Sequence, residues 1–239
     1  MAICHVLRLG RVAYRDALDL QLRIVGRIKA TETDDAALLL LEHDPVVTVG
    51  RSGTAEHLRA SPAELARRGV ELHEAGRGGD VTYHGPGQIV GYPIFRLPIG
   101  RRDVHCYLRS VEEVVIRAVG RYGLVGRRIP GLTGVWVGEA KVAAIGVAFS
   151  RWIAYHGFAL NVTTDLAAFD LIVPCGIADR PVTSMEGLLG TAPSRGEVED
   201  ALVEEFVEEF AFDRARECPS AEGLPEWLCP PPEPASRNP

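Results

Sequence analysis

Residues Ala36 to Val49 read AALLLLEHDPVVTV, an apolar run, a Glu-His-Asp-Pro interruption and a second apolar run. Ala36 to Leu41 is the longest apolar stretch of the chain and falls far short of the roughly 20 residues that span a bilayer. It reads instead as a strand over Ala36 to Glu42, and Val46 to Val49 reads as a second one, separated by Asp44-Pro45.

Working outward, Val6 to Leu9 is strand-like, and a helix is predicted from about Tyr14 to Lys29 with Leu18, Leu22 and Val25 on one face. On the other side, Ser61-Pro62-Ala63-Glu64 is a helix-start signal: a serine to cap, a proline suited to the first turn and a glutamate to close a capping box. That helix is predicted to stop at Gly69. Val104 to Val119 is a second amphipathic helix, burying Leu108, Val111, Val115 and Ala118. Short strands follow around Gly134 to Val137, Lys141 to Ala148 and Phe158 to Val162. Glu197 to Phe212 returns to helical spacing, with Val198, Leu202, Phe206 and Phe210 on one stripe and acids opposite. Strands and helices mixed without strict alternation predict an α+β fold with a mixed central β-sheet flanked by helices. The expected organisation is a catalytic domain over residues 1–187, a small helical extension over 188–228 and a disordered proline-rich tail over 229–239.

The 239 residues are 46% hydrophobic and 24% charged, the balance of a folded soluble protein with a substantial core. The first residues, MAICHVLRLGR, lack the basic start and long apolar stretch of a secretory signal, so the expected location is the cytoplasm. The five cysteines (Cys4, Cys106, Cys175, Cys218, Cys229) include no C-x-x-C pair, and free thiols are expected, with no metal site. A net charge of −6 argues against nucleic-acid partners, and the absence of a spanning segment against a membrane. Of 26 basic residues only Lys29 and Lys141 are lysines. In that background a lysine inside an apolar stretch implies that an amine able to give up its proton is wanted there.

Three segments carry chemistry. Glu74 to Gln88, EAGRGGDVTYHGPGQ, holds five glycines in fifteen residues, a density that lets backbone approach a ligand and exceeds what a hairpin turn needs. Its spacing matches neither a P-loop nor a dinucleotide fingerprint. Lys141-Val-Ala-Ala-Ile-Gly146 places the rare lysine in a strand-like apolar context, where desolvation disfavours the charged form; a lysine whose amine reaches solvent from a strand end is the alternative. Val173-Pro174-Cys175-Gly176-Ile177 sets a cysteine between proline and glycine in a loop, an arrangement suited to a nucleophile, especially beside an amine or imidazole. In Tyr155 to Val162, YHGFALNV, we read His156 as a hydrogen-bonded turn residue rather than a ligand contact. Spacing alone does not bring Cys175, Lys141 and a histidine together.

Together these segments resemble the lipoyl(octanoyl) transferase family. The resemblance rests on LLLLEHDPVVTVGR (Leu38 to Arg51), RGGDVTYHGPGQ (Arg77 to Gln88), KVAAIG (Lys141 to Gly146), HGFALNV (His156 to Val162) and VPCGI (Val173 to Ile177), in that order. It implies a biotin/lipoate protein ligase-like catalytic domain and a ping-pong acyl transfer that needs no cofactor. Cys175 would take octanoyl from octanoyl-acyl carrier protein, and Lys141 would be its dyad partner. The acceptor would be a lysine on lipoyl domains of 2-oxoacid dehydrogenase E2 subunits or on glycine cleavage H protein. The implied acyl pocket comprises Arg77, Gly78, Gly79, Asp80, Val81, Thr82, Tyr83, His84, Ala144, Ile145, Gly146, Gly157, Phe158 and Ala159, with small residues leaving a narrow channel. Oxyanion donors would be backbone N–H groups near Cys175 and Gly176 or in the glycine-rich segment. His84 would orient groups around the thioester, with a Cys175–His84 pairing as the alternative. An ATP-dependent ligase of the same fold, an acyl-thioester hydrolase and a catalytically silent acyl- or carrier-binding scaffold are the competing functions. Arg51, Arg101 and Arg102 are read as solvated surface residues.

Overall fold

In a computed structural model, which describes residues 1–173 and 180–218, the stretch Ala36–His43 forms strand β2 in the middle of a sheet. The order along the chain begins β1 (Ile3–Val12), α1 (Tyr14–Thr31), β2 (Ala36–His43), β3 (Val46–Val49), α2 (Pro62–Arg67), β4 (Glu71–Glu74). It continues β5 (Val81–His84), β6 (Gln88–Arg96), α3 (Val104–Gly120), β7 (Gly126–Ile129), β8 (Leu132–Val137) and β9 (Ala140–Ser150). It closes with β10 (Ile153–Asn161), α4 (Met185–Leu189), α5 (Arg195–Phe210) and β11 (Arg214–Glu217). Among the described residues the strands form two sheets, β11-β1-β2-β6-β10-β9-β8-β7 and β4-β3-β5. The first is parallel at β11-β1-β2 and antiparallel from β2 onward, so the expected mixed α+β sheet is found. No helix among the described residues is long and apolar enough to cross a membrane.

The uninterrupted apolar run of β2 follows from burial on both faces, where a half-buried strand would alternate. Ala36, Leu38 and Leu40 enter a core with α3 residues Val111, Val115 and Ala118 and α5 residues Val198, Leu202 and Phe206. Ala37, Leu39 and Leu41 enter a second core on the opposite face, with Ala17, Ile24, Val25 and Ile28 of α1. The expected face of α1 is found in part: Val25 is buried and Leu18 half-buried, but Leu22 is exposed, and Tyr14, Ala17, Gln21, Ile24 and Ile28 complete the buried stripe. Gln21 is tolerated inside because its Oε1 accepts the His156 backbone N–H at 2.8 Å.

Around α2 the reading of Ser61 holds: its hydroxyl accepts the Glu64 N–H at 3.2 Å. Glu64 turns its carboxylate to Arg68 Nη2 (2.7 Å). Among the described residues the C-terminal elements share the core of the main sheet. Helix α5 packs on α3 and the main sheet, and β11 extends that sheet beside β1. The acids of α5 meet arginines of earlier elements: Glu199 and Asp200 meet Arg8, and Glu205 meets Arg121 at 2.5 Å. Helical periodicity marks an apolar face without saying which surface it will cover, and this is why a separate extension was expected. The expected tail over 229–239, and the part of the extension beyond 218, lie outside the described residues.

Candidate functional site

The small sheet β4-β3-β5 stands beside the large one and holds the glycine-rich segment. In β5, side chains alternate. Val81 and Tyr83 enter the core of the small sheet, where Tyr83 packs edge-on against Phe169. Thr82 and His84 face the other way, into a narrow cavity whose opposite wall is β6, β9 and β10. Of the expected acyl-pocket residues, Arg77, Gly79, Asp80, Thr82, His84, Ala144, Ile145, Gly146, Gly157, Phe158 and Ala159 line this cavity. Gly78, Val81 and Tyr83 do not. Strand alternation turns Val81 and Tyr83 away, and Gly78 instead donates its N–H to Val147 O (2.8 Å), tying the loop to β9.

The cavity also has walls that sequence reasoning missed: Tyr14, Val90, Tyr92 and His156. A tyrosine heading an amphipathic helix and apolar strand residues read as ordinary core, so no local signal marked the first three. His156 is not the turn residue expected: it lies inside strand β10 with a left-handed φ of 57°, its N–H donates to Gln21, and its ring lines the cavity. Lys141 sits next along, in a smaller recess with Gln88, Asn161, Phe169 and Val182 that shares Thr82, Ala144 and Ala159 with the main cavity.

Arg77 runs beneath the loop. Its Nη2 donates to both the carbonyl and the hydroxyl of Thr48 at 2.8 Å, and Nη1 donates to Gly78 O at 3.1 Å. Two glycines make room for it. A Cβ on Gly50 would lie 2.7 Å from Arg77 Nη1, and one on Gly146 would lie 3.0 Å from Arg77 Cδ. From Arg77 a directed chain of hydrogen bonds crosses the site. Thr48 Oγ1, already accepting from Arg77, lies 3.4 Å from His84 Nε2. His84 Nδ1 donates to Gln88 Oε1 (2.8 Å), and Gln88 Nε2 donates to Asn161 Oδ1 (2.9 Å). Asn161 Nδ2 then donates to Thr183 O (3.0 Å). The bond to Gln88 Oε1 sets the His84 proton on Nδ1, which leaves Nε2 facing the Thr48 hydroxyl. Burial, then the neighbouring His43 and Arg77, push the pKa of His84 well below the ordinary value. It is poorly suited to act as a base, which weighs against the Cys175–His84 alternative.

Lys141 is 5% exposed, and its Nζ stands 4.8 Å from the centroid of the Trp136 ring. Its backbone holds the incoming chain on both sides: Lys141 N donates to Pro181 O, and Thr183 N donates to Lys141 O, each at 2.9 Å. On the other flank of the cysteine segment, Val173 N donates to His57 O (2.8 Å). Cys175 and Gly176 themselves lie outside the described residues. Arg51, Arg101 and Arg102 are exposed, as read. Asp80, facing the cavity, is paired to His57 Nδ1 at 2.5 Å.

Residues 13–207 match the family described as lipoyl protein ligase A/B catalytic domain. An octanoyltransferase of Chloroflexus aurantiacus is 51% identical over 208 residues, covering 86% of this chain and 93% of the relative. One of Solibacter usitatus is 49% identical, covering 89% and 96%. Among solved structures, a putative lipoate protein ligase of T. acidophilum with bound lipoic acid superposes with a TM-score of 0.73 at 20% identity, over 94% of this chain and 90% of that one. The biotin protein ligase of Aquifex aeolicus with biotin and ATP superposes with a TM-score of 0.52 at 13% identity, over 87% and 70%.

Proposed function

The chain belongs to the lipoyl protein ligase A/B catalytic-domain family, and on that premise we propose that it is an octanoyltransferase of protein lipoylation. The donor is octanoyl-acyl carrier protein, and the acceptor is a lysine of a lipoyl domain, of a 2-oxoacid dehydrogenase E2 subunit or of glycine cleavage H protein. Cys175 is the nucleophile and Lys141 its proton partner. The observation that carries this assignment is the setting of Lys141. One of only two lysines, it is buried beside a narrow channel of small residues, and its backbone binds Pro181 and Thr183, just after the cysteine segment.

The reaction balances on one shuttled proton. The Cys175 thiol gives its proton to the Lys141 amine as sulfur attacks the thioester carbonyl. Collapse of the tetrahedral intermediate expels the carrier thiolate, which takes that proton from Lys141. The acceptor amine then attacks the acyl-enzyme and loses a proton to Lys141. Collapse forms the amide, and the departing Cys175 sulfur recovers its proton from Lys141. A thioester is already activated, so the overall change from thioester to amide runs downhill without ATP. Arg77 and His84, linked through Thr48, shape the channel rather than move protons.

Intact-mass measurement after mixing the protein with octanoyl-acyl carrier protein, without ATP, tests the assignment. An octanoyl adduct is expected on the wild type, absent from Cys175→Ala and discharged by an apo lipoyl domain. Discharge by water at the same rate would instead identify a hydrolase. Modification of the lipoyl domain only with ATP and free acid would identify a ligase.

A further inference from the structure

The cavity changes character along its length. Between the Lys141 recess and the far end the side of the cavity opposite Thr82 and His84 carries Val90, Ala144 and Ala159, all apolar and mostly small. Strand register places Asn161 opposite Gln88 at the near end, Ala159 opposite both Val90 and Ala144, and Gly157 opposite Gly146. From Asn161 to Gly157 is a rise of about 13 Å along β10. At the far end stand Tyr14, Tyr92 and His156, with Arg77 packed against Gly146 and bonded to Thr48 and Gly78. The Tyr92 hydroxyl is engaged, 2.7 Å from His43 Nε2, while His43 Nδ1 donates to Val12 O at 2.8 Å. The Tyr14 hydroxyl and His156 Nε2 have no hydrogen-bond partner among the described residues, although the two residues are only 3% and 2% exposed.

We propose that Tyr14 and His156 form a polar stop that sets the acyl chain length, a role that rests on the octanoyltransferase assignment. A chain that ends on the small apolar wall leaves space for water to satisfy both polar atoms. A longer chain replaces that water with methylene groups, which offer no hydrogen bond, and strands a buried hydroxyl and a buried imidazole nitrogen. The cost of leaving such groups unmade exceeds the gain from burying one or two more methylenes, so discrimination arises from desolvation as well as size. Tyr14 and Tyr92 separate the two contributions. Removing the Tyr14 hydroxyl deletes an unpartnered polar atom. Removing the Tyr92 hydroxyl bares His43 Nε2, so the polar count at the stop does not fall.

The test is a competition without ATP. The wild type, Tyr14→Phe and Tyr92→Phe each meet an equimolar mixture of octanoyl-, decanoyl- and dodecanoyl-acyl carrier protein, and the adduct masses are read. Tyr14→Phe is expected to raise the decanoyl-to-octanoyl ratio about tenfold, equivalent to about 1.4 kcal/mol, with no rise in Tyr92→Phe. His156→Asn is a second probe, since asparagine tolerates a left-handed backbone and withdraws the ring from the stop. It is expected to move the ratio in the same direction. Unchanged ratios in both Tyr14→Phe and His156→Asn overturn the polar stop. An equal rise in Tyr14→Phe and Tyr92→Phe does so too, by assigning the limit to size alone. If no chain length gives an adduct on the wild type, the octanoyltransferase assignment falls, and the stop with it.

Discussion

On one side of the cavity Arg77, Thr48 and His84 are held by hydrogen bonds that continue through Gln88 and Asn161 to Thr183. Across from them Ala144, Gly146, Gly157 and Ala159 present no side-chain polar atom at all. The first wall is positioned by a network whose members are buried, so its shape and the stability of the protein depend on the same bonds. The second is positioned by the strand ladder β6-β10-β9, and its side chains contribute shape by being small. The difference teaches that one wall is tied to folding while the other is free to tune function. Protonation, deletion and enlargement probe that division in turn.

Acid should act on the buried histidines in and around the site, His84 on the polar wall, His156 on β10 and His43 beside Tyr92, and it gives the largest expected change in stability. Burial holds His43 down to about 4, although its bond to Val12 pulls the other way. Burial, then Arg77 and Arg51, hold His156 down to about 3, and His84 also lies well below its ordinary range. Unfolded histidine titrates near ~6.5, so below that pH the unfolded chain binds more protons than the folded one. Stability is therefore fully present above about 6.5 and falls as the pH drops toward the folded values. At pH 5.5 His43 and His156 together cost roughly 3 kcal/mol, and His84 adds to the loss in the same direction. Urea denaturation at pH 7.5 and 5.5 measures this, and equal midpoints would show that the three rings are not buried in neutral form.

Arg77→Met removes the head of the network while keeping a long side chain. The Thr48 carbonyl, Thr48 hydroxyl and Gly78 carbonyl each lose a charged donor inside the protein. The expected loss is about 3 kcal/mol, read from denaturant midpoints at neutral pH. The same change takes away a positive charge that depresses His84 and His156, so the acid sensitivity should also weaken. A loss of stability without that weakening would mean that Arg77 acts through packing rather than charge.

The two walls were also unequally legible. The run Ala36–Leu41 announced a strand buried on both faces, and Val111, Val115 and Ala118 announced the inner face of α3, because apolar spacing reports burial directly. The glycine-rich segment was recognisable as a ligand loop, but not as containing β5, whose alternation decides that Thr82 and His84 face the cavity while Val81 and Tyr83 do not. Tyr14 and Tyr92 escaped notice because an aromatic residue in an amphipathic element looks like core. They meet in space only through the packing of α1 on the sheet. His156 was misjudged for a different reason: what read as a turn before the apolar run is part of β10, and its φ of 57° there is invisible in the sequence. Lys141 stood out because it is one of two lysines among so many arginines and the one set in an apolar strand.

The smallest stability effect is expected from enlarging the apolar wall, and it tests the division most directly. Ala144 pairs with Ala159 through the backbone and directs its methyl into the open channel. Ala144→Leu adds three carbons there without removing a hydrogen bond or entering a packed core. Its cost to folding should stay within about 1 kcal/mol, the range of substitutions that disturb no buried network. The channel, however, narrows where the alkyl chain must lie, so octanoyl adduct formation should fall by at least about tenfold, as expected when bound geometry is disturbed. Parallel denaturation and adduct measurements on the same sample separate the two effects. Full octanoyl loading in this variant would place the acyl chain elsewhere, whereas a large loss of stability would show that the small-residue wall is as tightly coupled to folding as the polar one.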